Sequence, residues 1–433
     1  MRSETIFALS TAAGKAGIAI IRISGEKAFE AVKKLAGSVP SARNAVFRKL
    51  VYNDELVDQA IVVCFPAKNS YTGEDLAELH IHGSNAIIQE LSDILSCGLN
   101  LSFAKPGEFT QRALKNGKMD LSQVEAVIGL IEAETKEQKK QSLNVLSGGI
   151  NNKATEWRGL LVQALGLVEV MIDFSDQDIE ANFKGEINVL IIKLISYLEK
   201  ELTQYKSSEI IRDGYDITII GKPNVGKSSL LNYIAGKEKA IVSSYAGTTR
   251  DIIELGIDLQ GYRVNFFDTA GIHKTDNIVE GIGIEKAIKK AKDSNMRIFL
   301  LENNDIADQF FIKVQPNDLI LSAKVDIHKP EELLGISAKT GEGIDNMLDL
   351  IFKRIKNETV SSSVLINIRH KSLIKNAVTS LYSSKDELEE ANFQVEIVAE
   401  YLRSAIVQLD LLVGKINVED ILGSIFSKFC IGK

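Results

Sequence analysis

Apolar and polar residues follow three successive patterns along this chain. Over residues 1 to about 118, short β-rich runs mix with helical stretches. Ile18 to Ile23 and Ile61 to Phe65 are rich in branched residues, Leu76 to Ile81 alternates with period two, and Ala86 to Leu95 reads as a helix. Two turn-rich segments, Tyr71-Thr72-Gly73-Glu74-Asp75 and Lys105-Pro106-Gly107-Glu108, carry charge within loops. From Leu121 the period lengthens: Leu121, Val124, Val127, Ile128 and Ile131 recur at helical spacing. Helices are expected to about Tyr205, broken at Ser147-Gly148-Gly149 and around Phe174-Ser175-Asp176. Strand-rich α/β character begins at Gly214 and ends near Lys356. After Ser361-Ser362-Ser363 helices resume and are expected to run to the terminus.

The pattern predicts a multidomain α/β plus all-α chain. An N-terminal α+β domain takes 1–118, and a helical domain lies in two sequence halves, 119–212 and 358–433. An α/β domain, 213–357, is inserted between them. Helices ending near 205 and starting near 364 would then pack together, because neither half has much apolar surface to bury alone. A separate helical C-terminal domain is the alternative.

The inserted segment carries the most informative motif. Gly221-Lys222-Pro223-Asn224-Val225-Gly226-Lys227-Ser228 is a complete phosphate-binding loop. A buried strand, Tyr215 to Ile220, precedes it, and a helix from Ser228 through Ala235, closed by Gly236, is expected to follow. The glycines let backbone N–H groups wrap phosphates, and the helix N-terminus favours negative charge. Asn224, Val225, Gly226 and Ser229 belong to this cradle. Lys227 is expected to reach the β- and γ-phosphates, and Ser228 to offer its hydroxyl to magnesium. The domain is therefore expected to be a Ras-like P-loop G domain.

Four further segments fit a GTPase in order and spacing. Gly247-Thr248-Thr249-Arg250-Asp251 places Thr249 to sense the γ-phosphate and complete the magnesium shell. In Asp268-Thr269-Ala270-Gly271, Asp268 would contact magnesium through water and Gly271 would offer its N–H to the γ-phosphate. Ser337-Ala338-Lys339 fits a loop beside the base. The base-reading element departs from the usual Asn-Lys-X-Asp: it is Ala323-Lys324-Val325-Asp326. Asp326 still accepts from guanine N1–H and N2, and Lys324 still lies over the ring, so guanine is expected over adenine. Ala323 loses the amide that holds loops and base edge together, so weak affinity is expected.

Ile272 stands where Ras-like switches carry a water-orienting glutamine. Asn224 and the run Ser243-Ser244-Tyr245-Ala246 suggest a substitute, a monovalent cation held beside the phosphates. Glu280 is a candidate to orient water, although by pattern alone a first-turn helix carboxylate explains it better.

Composition narrows the setting. The 433 residues are 45% hydrophobic and 25% charged, as in soluble globular proteins. A net charge of −7 argues against nucleic-acid binding over the whole surface. Lys136, Lys139 and Lys140, and Lys286, Lys289, Lys290 and Lys292, read as solvated helix faces. Cys64, Cys97 and Cys430 suggest neither a disulfide frame nor a zinc site. With no spanning apolar run and no apolar core in Met1 to Thr5, a cytoplasmic protein without stable membrane insertion is expected.

With these residues in view, the chain resembles the MnmE (TrmE) family of tRNA-modification GTPases over nearly its whole length. Besides Gly247 to Asp251, the likeness rests on Ile18 to Gly25, Tyr71 to Asp75, Lys105 to Thr110, Lys118-Met119-Asp120-Leu121 and the terminal Cys430-Ile431-Gly432-Lys433. The resemblance implies an N-terminal domain that binds a 5-formyl- or 5,10-methylene-tetrahydrofolate and makes a homodimer. Arg22, Glu78, Lys118 and Lys433 fall on its folate-contacting positions. Without it, Arg22 and Glu78 read as strand-edge charges. It supports Asn224, Ser243, Tyr245 and Thr248 as a potassium site whose filling pairs two G domains, and gives Glu280 the water-activating role. Cys430 is a weak catalytic candidate, since packing explains it equally well. The family adds a one-carbon unit and an amine to carbon 5 of the tRNA wobble uridine. It does so with an FAD-dependent MnmG (GidA) subunit in a heterotetramer.

Two other hypotheses stand beside this one. A ribosome-assembly GTPase switch shares the phosphate loop and Asp-Thr-Ala-Gly, but would carry an RNA-binding module that no Gly-X-X-Gly clamp supplies here. A G domain without catalysis is suggested by Ala323 and the short stretch between Leu301 and Leu319.

Overall fold

Period-two alternation builds the first sheet of the protein. The computed structural model describes residues 4–173, 180–241, 255–268, 288–302, 312–328, 333–359, 363–416, 425–426, 429 and 432, with backbone alone at 180–182. The chain divides into two units: residues 1–128, 150–159 and 406–433, and residues 129–149 and 160–405.

In the first unit six strands form one sheet: β1 (Ile6–Leu9), β2 (Ala16–Ser24), β3 (Val46–Tyr52), β4 (Glu55–Phe65), β5 (Leu76–Gly83) and β6 (Ser102–Phe103). Their order is β3-β4-β5-β2-β1-β6, antiparallel except for the β1–β6 pair. The β3–β4 hairpin turns on Asn53 and Asp54, whose φ values of 51° and 65° are the left-handed pair that a two-residue hairpin turn requires. Ala19, Ile21 and Ile23 of β2 and Leu79 and Ile81 of β5 pack on α1 (Ala28–Ala36) and α2 (Asn85–Asp93) through Val32, Leu35 and Leu91. Arg22 and Glu78 have the opposite parity and point to the other face. Both lie on central strands, so the strand-edge expectation is corrected.

That other face holds α3 (Glu108–Lys115), whose Phe109 packs with Ile6, Ala8 and Ala104. Next comes α4 (Leu121–Ile131), where Leu121 and Val124 meet Ile425, Phe426 and Phe429 of the C-terminal segment. A side chain at Gly107 would lie 2.7 Å from Phe426 Cδ1, so the Lys105-to-Glu108 turn needs glycine to seat that segment. The last long helix, Val395–Val413, stops at Gly414 (φ 78°), where a Cβ would sit 2.8 Å from Leu121 Cβ.

The second unit contains α5 (Lys136–Leu146), α7 (Glu180–Asp213) and α10 (Ile368–Glu389); α6 (Gly149–Asp173) follows the predicted break at Ser147 to Gly149. Its sheet has the order β13-β12-β11-β7-β10-β9-β8. The strands are β7 (Tyr215–Gly221), β8 (Lys239–Ala240), β9 (Leu255–Leu259), β10 (Tyr262–Asp268), β11 (Met296–Leu301), β12 (Leu319–Ala323) and β13 (Leu334–Ile336). From β13 to β10 all pairs are parallel, and β9 and β8 close the edge antiparallel. Central β7 is buried along nearly its whole length, as a strand covered on both faces must be. On one face lie α8 (Lys227–Lys237) and α9 (Ile344–Glu358) through Leu230, Ile234, Met347 and Ile351. The other face holds Ile220, Phe299 and Leu301 against Ala291 and Ile312.

Two helix ends differ from expectation. Helix α7 continues to Asp213 instead of stopping near Tyr205. Ser207 and Ser208, which blur its apolar period, donate to the carbonyls of Glu358 (2.6 Å) and Ser363 (2.8 Å). Helix α8 passes through Gly236 to Lys237. Burial of Leu230, Leu231 and Ile234 outweighs the roughly 1 kcal/mol that one glycine costs a helix.

The chain enters and leaves this sheet side by side. Tyr215 Oη donates to Glu358 Oε1 at 3.0 Å, and buried Glu201 accepts from Ser363 Oγ at 2.6 Å and Val364 N at 3.2 Å. Helix α10 packs along α7 beyond that point. Lys136, Lys139 and Lys140 are exposed on α5, as read from sequence. Lys290 instead pairs with Asp216 at 2.9 Å and covers the Phe267 ring. Lys286 lies outside the described residues. Among those described, no helix is long and apolar enough to cross a membrane.

Candidate functional site

The phosphate loop is shaped by close packing at its start and left-handed backbone further on. A Cβ at Gly221 would meet Val225 Cγ1 at 2.8 Å and the Leu300 carbonyl at 2.9 Å. Asn224 (φ 63°) and Gly226 (φ 111°) turn the backbone so that α8 starts at Lys227. Asparagine tolerates this region better than most side chains do. Lys227 Nζ donates to the carbonyls of Gly221 (3.1 Å) and Lys222 (3.3 Å) and lies 3.9 Å from Asp268 Oδ1.

Asp268 ends β10, the parallel neighbour of β7, and this register brings its carboxylate to the loop. Ser228 Oγ donates to Asp268 Oδ2 at 3.3 Å, while Oδ1 is buried and accepts no hydrogen bond among the described residues. Burial pushes the Asp268 carboxyl above its ordinary pKa, and Lys227 and Ser228 pull against that. A serine hydroxyl and an under-satisfied carboxylate are hard oxygen donors, a set that suits a small divalent cation such as magnesium.

The base-side residues converge on the same place. Val225, Gly226 and Ser229 of the loop line one cavity of about 230 Å³ together with Ala323, Lys324, Asp326, Ala338 and Lys339. Ser337 Oγ donates to Asp326 Oδ1 at 2.7 Å and also accepts from the N–H groups of Lys339 and Thr340, which fixes the carboxylate at the cavity wall. Lys324 has φ 59°, and its Nζ meets both oxygens of Glu302 at 2.9 and 3.0 Å. Ala323 is buried.

A second cluster sits on the first unit's sheet. Arg22 and Glu78 are directly opposite on β2 and β5, with Nε and Nη2 donating to Glu78 Oε1 at 3.1 and 2.9 Å. The guanidinium lies over the rings of Tyr71 (5.5 Å) and Phe109 (5.7 Å). His80 Nε2 is 3.3 Å from the other Glu78 oxygen. The Gly432 carbonyl accepts from Ser10 Oγ at 2.9 Å and Arg22 Nη1 at 3.5 Å. Lys118 is exposed and donates to the Lys68 carbonyl on the loop that carries Tyr71. No hydrogen bond or ion pair among those described joins Lys118 to Arg22 or Glu78.

Known proteins match this chain over nearly its whole length. The family described as GTP-binding protein TrmE N-terminus matches residues 5–118, and the MnmE helical domain matches residues 121–430. The tRNA modification GTPase MnmE of Cereibacter sphaeroides (strain ATCC 17029) is 43% identical over 430 residues, 99% of this chain and 100% of its own. Those of Dinoroseobacter shibae and Ruegeria sp. are 43% and 42% identical over the same shares. The chain belongs to the MnmE family. The solved G domain of the Methanococcus jannaschii FeoB protein is also similar, at 21% identity and TM-score 0.26, over 33% of this chain and 98% of that one.

Within the MnmE family pattern, the expected nucleotide residues Asn224 to Ser229, Asp268, Lys324, Asp326 and Ser337 to Lys339 are described and occupy one end of the second sheet. Ser243, Tyr245, Thr248, Thr249, Thr269, Ala270, Gly271 and Glu280 lie outside the described residues, as do Cys430 and Lys433. Four contributors escaped the sequence reading: Glu302, Tyr71, Phe109 and Gly432. Tyr71, Phe109 and Gly432 all sit in motifs singled out above, and the two aromatic rings are the signal those motifs offer. Glu302 belongs to no motif, and its contact with Lys324 depends on tertiary packing.

Proposed function

We propose that this member of the MnmE family hydrolyses GTP as a subunit of a complex that modifies the wobble uridine of tRNA. The single observation behind the site assignment is that the phosphate loop and Asp326, which Ser337 holds in place, line one cavity. Asp326 would accept from guanine N1–H and N2, and adenine offers no such donor pair. The N–H groups of the loop and Lys227 would hold the β- and γ-phosphates.

In hydrolysis the oxygen of a water bonds to the γ-phosphorus as the bond to the β,γ-bridging oxygen breaks, giving GDP and inorganic phosphate. The water's proton passes to a phosphate oxygen. Glu280 would orient this water, since Ile272 has no group that can. Ser228, Thr249 and, through water, Asp268 would hold magnesium, and Asn224, Ser243, Tyr245 and Thr248 potassium. Bound there, the two cations supply positive charge against the charge that develops on the transferring phosphoryl group.

The domain reading that goes with this is an α/β domain over 213–357 set into a helical domain. Its entry and exit would be joined by Tyr215, Ser207, Ser208 and Glu201. The Arg22–Glu78 cluster with Tyr71 and Phe109 offers a cation and two rings, which suits a heteroaromatic carrying carboxylates. We assign it, with Lys118 and Lys433, to a tetrahydrofolate one-carbon donor. The active form would be a homodimer working with an FAD-dependent MnmG subunit. Its product would be an aminomethyl or carboxymethylaminomethyl group on carbon 5, and no phosphate would pass to the RNA.

Two measurements test this. Titration with GTP and ATP in parallel should show binding of GTP only; equal binding removes the guanine assignment. Digests of bulk tRNA from cells lacking the gene should lose the wobble-uridine modification. Unchanged nucleosides would remove the modification role.

A further inference from the structure

The base-side loop of this G domain lacks the residue that usually holds it. In Ala323-Lys324-Val325-Asp326 the first position carries a methyl group, so no side-chain amide ties the loop to its neighbours. The two functional side chains are nevertheless fixed one by one. Ser337 holds Asp326. Lys324, on a left-handed turn closed by Ile327 N and His328 N on its own carbonyl, is held by Glu302 through both carboxylate oxygens.

Glu302 is well placed for this. It follows directly on β11, whose Leu301 pairs with Ser322 of β12, so its backbone is carried by the central sheet and not by the loop it restrains. Lys324 lines the cavity with Ala323 and Asp326. A free lysine keeps rotamer entropy that a base stacking on its stem would have to remove. An ion pair formed beforehand removes part of it.

We propose that Glu302 is a positioning residue for guanine-nucleotide binding: it sets the Lys324 stem as the platform for the base and stands in for the amide missing at Ala323. This rests on the assignment of the cavity to a guanine nucleotide. Both side chains are about one-third exposed, so the pair is a modest one and the effect should be severalfold.

The test uses the full chain and GDP titration, with GTP turnover beside it. Glu302→Ala should weaken GDP about fivefold and raise KM for GTP by a similar factor, with kcat at saturating GTP within about twofold of the parent. The same substitution in a Lys324→Ala background should have no further effect, because the two residues act through one contact. Adding Ala323→Asn to Glu302→Ala should restore affinity, which a general packing role would not predict. Parent-like GDP affinity and KM in Glu302→Ala would overturn the inference while leaving the nucleotide assignment intact. No GDP binding by the parent chain would overturn both.

Discussion

Ser228 Oγ lies 3.3 Å from Asp268 Oδ2, which joins the first turn of α8 to the end of β10 at the mouth of the phosphate loop. The other Asp268 oxygen is buried without a hydrogen-bond donor among the described residues, an arrangement that costs free energy unless a cation completes it. Ser228→Ala and Asp268→Asn should therefore each weaken GTP in magnesium by about tenfold or more, and cut hydrolysis by about 100-fold. With magnesium chelated, parent and variants should bind GTP alike. A loss that persists in chelator would point to damage of the loop itself.

Arg22 is largely enclosed between Glu78, Tyr71 and Phe109, and its removal leaves Glu78, on a central strand, with His80 beside one oxygen and, among the described residues, no donor on the other. Arg22→Ala should cost about 1–3 kcal/mol of stability from the Glu78 oxygen left without its donors and weaken a formyl-tetrahydrofolate analogue by about tenfold. Arg22→Ala with Glu78→Gln should recover stability and leave analogue binding weak. If binding returned with stability, Arg22 would be acting on the fold and not on the ligand.

How much of this could be read in advance follows from how local each feature is. The phosphate loop was legible because strand, glycines and helix start lie within about 20 consecutive residues, and its partners follow in fixed order. Arg22 and Glu78 were placed on strands correctly, but their pairing is a matter of register between β2 and β5, with 56 residues separating them. Helices α7 and α8 run past the stops expected near Tyr205 and at Gly236, through Ser207, Ser208 and Gly236. Tertiary contacts decide all three: two serines bond to the segment leaving the sheet, and the glycine rides on a buried face. The C-terminal segment was legible only as a motif. Its seat against Gly107 and β1 is set by packing between parts of the chain hundreds of residues apart.

Gly432 tests whether that seat matters. Its φ of 101° belongs to the region where glycine is at ease, and a Cβ there would come within 2.1 Å of the Leu9 carbonyl oxygen. Gly432→Ala should lift the terminal segment off β1, speed amide hydrogen exchange around Ser10, and weaken the folate analogue severalfold, with GTP hydrolysis by the G domain little changed. Parent-like exchange at Ser10 would show that the segment shifts without leaving its seat, and would sever the proposed tie between terminus and ligand.

Asn224 separates backbone shape from side-chain chemistry at the proposed potassium site. Its φ of 63° is a conformation that alanine adopts poorly and glycine freely, so Asn224→Ala alone would confuse a bent loop with a lost ligand. Asn224→Gly keeps the loop and removes only the side-chain oxygen. If that oxygen helps hold a monovalent cation beside the phosphates, the parent should hydrolyse GTP about tenfold or more faster in potassium than in sodium, and Asn224→Gly should run at the sodium rate in both. GDP affinity, set by Lys227 and the backbone N–H groups, should stay within about threefold. Equal parent rates in the two salts, or full potassium stimulation in Asn224→Gly, would leave water activation to be explained without the cation, and Glu280 as the residue to test next.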